Sequence, residues 1–129
     1  MFPPHGLATG KLVAAIGFGM AFWASGVVII RLAAPFGLFA DPGGIAMFVA
    51  GVPAAWLTVW LMQRLGRFSA AEIVPAVAAG SVAALLADGV ALSWAGWLYG
   101  GQALDAATAW LLWVAALTLG AGFVAARRG

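Results

Sequence analysis

Only one acidic side chain lies deep inside a long apolar stretch of this chain: Asp88, in the segment Leu85-Leu86-Ala87-Asp88. A carboxyl in such surroundings is costly to hold, about 2.5–3.5 kcal/mol at a membrane-helix centre on insertion scales. Its chemistry is then of two kinds. It can hydrogen-bond to a neighbouring Ser, Thr, Gln or Arg and fix how helices pack, remaining neutral where no cation is near. Alternatively it can bind and release a proton or cation as part of transport. Packing is the first reading; coupling, or a contact with a partner subunit, is the alternative. The cation best placed to join it is Arg31, near the end of another apolar run. Arg31 is expected about two helical turns, or roughly 10 Å, nearer the surface, so an extended guanidinium or a bridging water would be needed.

No other residues have the spacing of a catalytic or metal site. Cysteine is absent, so there is no disulfide framework and no thiolate ligand set. The single histidine, His5, precedes the apolar runs, leaving no imidazole at depth to hold a haem. There is no G-x-S-x-G, H-E-x-x-H or phosphate-binding loop. The sequence therefore predicts no enzyme activity, no cofactor and no metal. A net charge of +2, scattered along the chain, also argues against a nucleic-acid partner.

Composition dictates the elements that must position Asp88. Of 129 residues, 65% are hydrophobic and 8% charged, with a mean hydropathy of +1.07. A soluble domain has about a quarter charged residues, so the lipid bilayer is expected to be the principal partner. Runs such as Leu12 to Ile30 are apolar on every face, and a helix is the way one segment satisfies its own backbone in lipid. Each span takes about 20 residues. The expectation is an all-α, polytopic membrane protein: a single domain over residues 1–129, with spans at about 12–34, 45–62, 73–97 and 105–124 in a compact four-helix bundle. Pro35 should end the first span, and Pro53 should kink the second. Asp41-Pro42-Gly43-Gly44 has the composition of a tight turn, Ser69 and Glu72 that of a capping box, and Tyr99-Gly100-Gly101-Gln102 that of a loop.

Charge distribution predicts orientation. Lys11, Arg64, Arg67, Arg127 and Arg128 fall on one side of such a topology and Arg31 alone on the other, which predicts that both termini are cytoplasmic. These cations otherwise read as anionic-lipid contacts. Trp94, Trp97, Tyr99, Trp110 and Trp113 cluster near the opposite boundary, as interfacial aromatics do. Small residues every fourth position suggest the packing faces: Gly17, Ala21 and Ser25; Ala46, Ala50, Ala54 and Thr58; Ala76, Gly80, Ala84 and Asp88. The eight Ile, Val and Leu residues of the third span each return about 0.3–0.6 kcal/mol, which roughly cancels the cost of Asp88. That helix should insert poorly alone; efficient autonomous insertion of the isolated segment would contradict the balance.

Three short segments carry a likeness. Phe22-Trp23 followed by Ile30-Arg31-Leu32, then Leu85-Leu86-Ala87-Asp88, then Ala109-Trp110-Leu111-Leu112-Trp113 together resemble a domain-of-unknown-function family of small four-helix bacterial inner-membrane proteins. The resemblance covers about residues 22–124. It implies a location in the bacterial inner membrane and marks Arg31 and Asp88 as matching positions, but implies no activity. The small multidrug-resistance transporters share four helices and one membrane acid, yet their acid lies in the first helix, where this chain has none. The functional expectation is a structural or accessory role, as a subunit of a larger membrane assembly. The alternative is a small proton-coupled transporter or channel acting as a homodimer, with Asp88 as proton or cation carrier.

Overall fold

The computed structural model describes residues 7–38, 43–100 and 104–128. Four long helices dominate: α1 (Thr9–Ala33), α2 (Gly43–Gly66), α3 (Ala70–Trp94) and α4 (Leu104–Arg128). Each is long and apolar enough to cross a membrane. Only 17–28% of the apolar window of each is buried within the chain, so most of that surface is left for another apolar medium.

Local chemistry accounts for the helix ends. The α-helical turns of α1 stop at Ala33, two residues before Pro35, which instead sits in a short 3-10 turn (Ala34–Phe36) closed by Gly37 at φ 75°. Helix α2 runs unbroken through Pro53. Its start at Gly43 takes in half of the turn expected at residues 41–44; the other half, and His5, lie outside the described residues. The expected capping box opens α3, with the Ser69 N–H donating to Glu72 Oε1 at 2.9 Å. In α4, Asp105 occupies the first turn and Arg127 and Arg128 the last, each sign matching the helix dipole.

Helix α3 is central. It packs along α1 on one side and α4 on the other, and α4 in turn packs on α2; α2 barely touches α1 or α3. Two apolar clusters close the bundle at opposite ends. The terminal end holds Ala15, Val59, Met62, Phe68, Ile73, Val77 and Ala121, and the distal end holds Ile30, Ala91, Tyr99, Ala107 and Trp110. At the terminal end Lys11 is committed to protein rather than left for lipid. Its ammonium donates to the Arg67 and Gly66 carbonyls and pairs with Glu72 Oε1 at 3.3 Å, clamping α1 to the α2–α3 connection.

Small residues set the closest approach, though on faces that differ from two of the expected ones. The α3 stripe faces inward as expected: Ala76, Gly80 and Asp88 are buried and Ala84 is half-buried. In α1, however, the buried face is Ala15, Gly19, Gly26 and Ile30, and Gly17, Ala21 and Ser25 are exposed. In α2 it is Gly51, Ala55, Val59 and Met62; of the expected stripe, Ala46, Ala50 and Ala54 are exposed and Thr58 is half-buried. The reason for the α1 choice is direct backbone contact. A Cβ on Gly19 would overlap the Gly80 carbonyl and lie 2.7 Å from Gly80 Cα, so only glycine permits this crossing.

Candidate functional site

The distal end of the bundle assembles around Asp88. Helix α3 ends at Trp94 rather than continuing to Trp97 as expected, because Ala95 leaves helical geometry at φ −140° and the chain turns into a 3-10 segment, Gly96–Tyr99. Asp88 is therefore six residues, roughly 9 Å, from the end of its helix, nearer than a span reaching residue 97 would place it. Gly100, at φ 92°, closes the 3-10 turn in the left-handed region that glycine enters without a Cβ penalty.

This turn carries a residue whose burial the sequence did not reveal. Tyr99 was expected in a loop at the interface; it is fully buried, folded back against its own helix. Its hydroxyl donates to Asp88 Oδ1 at 2.6 Å and accepts from Trp23 Nε1 at 3.1 Å. A single hydroxyl thus links α1, the turn and α3. Burial first, and the neighbouring carboxyl second, push the Tyr99 phenol above its ordinary range, which keeps it a donor. The sequence does carry one signal for this contact. Tyr99 is the chain's single tyrosine, eleven residues after the single membrane acid and just beyond the helix end.

Arg31 reaches the same turn from the other side. It does not meet Asp88: its guanidinium Nη1 donates to the carbonyls of Trp97 and Leu98 at 3.1 and 3.2 Å, and the described ion pairs do not include Arg31. These are carbonyls of the last turn of the 3-10 segment, and that of Trp97 also accepts from the Gly100 N–H at 3.0 Å. The two candidate residues are therefore brought together indirectly. Arg31 holds the backbone of the turn, and the turn's Tyr99 holds Asp88. Replacing Arg31 with Ala should quicken hydrogen exchange of the 97–100 amides while shifting global stability by no more than about 1 kcal/mol. Unchanged exchange there would show that the guanidinium does not hold the turn.

Asp88 also borders a cleft of about 140 Å³ lined by all four helices. From the distal end inward its walls include Trp23 and Ile29 of α1, Asp88, Leu85, Ala84 and Ser81 of α3, Trp110, Ala115 and Thr118 of α4, and Thr58 and Met62 of α2. Ser25, Ile29, Ala54 and Leu85 at its margin are exposed, so the cleft opens sideways between helices. Two of its hydroxyls are spent on their own helices: Ser25 donates to the Ala21 carbonyl and Thr118 to that of Val114. The Ser81 and Thr58 hydroxyls have no partner among the described residues. Trp110, expected at the interface, is buried in the wall, its Nε1 donating to the Met47 carbonyl at 2.9 Å. Trp94 and Trp97 are exposed, as interfacial rings would be.

No cluster of three or more His, Cys, Asp or Glu side chains that could hold a metal occurs among the described residues. Comparison with family models, curated proteins and solved structures finds no match to this chain.

Proposed function

We propose that this chain is a multi-pass protein of the bacterial inner membrane, with both termini cytoplasmic and a structural or accessory role as a subunit of a larger membrane assembly. The four apolar helices, each mostly unburied within the chain, support membrane insertion. Five cations toward one end against Arg31 at the other support the orientation. The bacterial setting rests on the three short segments described above and their likeness to a four-helix family. The observation that carries the accessory reading is the internal hydrogen bonding of Asp88 through Tyr99 to Trp23, which is what a packing acid does.

A second reading, a proton- or cation-coupled carrier working as a homodimer, is favoured by one specific fact: Asp88 lines a cleft shared by all four helices. Asp88→Asn separates the two. The amide still accepts from Tyr99, so the accessory role predicts an intact fold, retained partner binding and no flux phenotype. Loss of coupled flux in vesicles with the fold preserved would replace the accessory reading by the carrier. Mass measurement after a gentle-detergent pull-down gives an orthogonal result, a heteromeric complex for the accessory role and a homodimer for the carrier.

A further inference from the structure

We propose that the cleft is a binding site for a small monocationic amine with an apolar body, whose ammonium group docks on Asp88. The inference goes beyond the accessory role and does not require transport. Three features of the cleft select this chemistry together.

The first is charge. Asp88 is 8% exposed and no cation pairs with it among the described residues, since Arg31 is occupied by the Trp97 and Leu98 carbonyls. Tyr99 takes one acceptor position on Oδ1, and a carboxylate offers about four. An ammonium donates N–H bonds and brings the positive charge that an acid in an apolar wall needs in order to be held as a carboxylate. An anionic ligand is disfavoured by the same carboxyl.

The second is the wall. Indole rings of Trp23 and Trp110 flank the Asp88 end, and both ring N–H groups are already bonded elsewhere. Aromatic and apolar walls beside a single carboxyl favour an organic cation over a hydrated metal ion, because they cover its carbon atoms and offer few oxygen ligands. Further in, the lining turns apolar, with the Ser81 and Thr58 hydroxyls as the interior polar groups without a partner among the described residues. A few placed polar groups in a mostly apolar pocket are the usual make-up of a small-molecule site.

The third is size and access. The volume of about 140 Å³ is close to that of an engineered apolar cavity of about 150 Å³ that accepts benzene. From Val77 to Asp88 the cleft follows three turns of α3, roughly 16 Å, so it is elongated with the carboxyl at one end. Its sideways opening admits a ligand that partitions into an apolar medium first.

Benzylamine, with benzyl alcohol as its neutral counterpart, is the probe. The full chain in detergent should bind benzylamine saturably in ligand-observed NMR titrations, with a Kd near or below about 1 mM for so few atoms. Benzyl alcohol should bind at least about tenfold more weakly, the loss expected for a missing charged hydrogen bond. Asp88→Asn should weaken benzylamine by a similar factor while leaving benzyl alcohol unchanged, and its retained bond to Tyr99 guards against unfolding. Ala84→Phe, which fills the cleft wall, should weaken both probes. Equal binding of the two probes, an Asp88→Asn protein that binds benzylamine as the parent does, or no saturable binding at all would each overturn the proposal. Amine binding lost in Asp88→Asn without any change in flux would establish the site and leave the accessory role standing.

Discussion

Gly19→Ala is expected to lower the thermal midpoint of the detergent-solubilised chain by about 10 °C, a cost near 3 kcal/mol for a domain of this size. The added methyl would fall on the Gly80 carbonyl, with Gly80 Cα at 2.7 Å and its carbonyl carbon at 2.8 Å. These are backbone atoms in the middle of α3, so no side chain can swing away to make room. The helices must separate, and α1–α3 is the most extensive contact in the bundle. Separation also acts on the site, because Trp23 lies one turn beyond Gly19 on α1 and must reach across to Tyr99. Gly17→Ala is the matched control. A Cβ there meets nothing within 4 Å, so its midpoint should stay within about 2 °C of the parent. Equal stability of the two variants would mean that α1 and α3 do not cross at Gly19 and Gly80.

That contrast also shows why helix existence was legible in the sequence while the helix faces were only partly so. Runs of apolar residues longer than a membrane is thick leave little choice but helix, and the capping box at Ser69 and Glu72 placed the start of α3 correctly. The α3 stripe was legible for a different reason: Asp88 breaks the symmetry of an otherwise uniform helix, and a carboxyl must face inward. Helices α1 and α2 contain no such marker. Gly17 and Gly19 are equivalent as residues, and only the position of Gly80 on another helix decides which of them is used. That Asp88 faces inward was legible from sequence, but its hydrogen-bond partner was not. Opposite charge pointed to Arg31, whereas the observed partner depends on where α3 stops. That stop is set by the backbone at Ala95 and the left-handed Gly100, neither of which has a periodic signature. Lys11 shows the same limit at the other end, since its clamp on the α2–α3 connection exists only once the bundle is assembled.

Tyr99→Phe is expected to destabilise the chain by about 2 kcal/mol, although it removes a single oxygen atom. That oxygen serves two partners. Without it, Asp88 loses the donor at 2.6 Å and the Trp23 indole N–H loses its acceptor at 3.1 Å, around a hydroxyl whose residue is fully buried. The phenyl ring still fills the same space, so the loss is polar rather than one of packing. A double-mutant cycle with Asp88→Leu isolates the tyrosine–aspartate part. Side-chain hydrogen bonds between membrane helices average about 0.6 kcal/mol in such cycles and reach about 1.7, whereas a bond to an ionised group is worth about 1.5–3 kcal/mol. With no cation paired to Asp88 among the described residues, the coupling should fall in the lower range, and the remainder of the Tyr99→Phe loss should disappear when Trp23→Phe is combined with it. Strict additivity of Tyr99→Phe and Asp88→Leu would show that the hydroxyl does not bridge to the acid. A coupling above about 2 kcal/mol would instead show an ionised carboxylate already held in the apolar wall, ready to accept the cation proposed for the cleft.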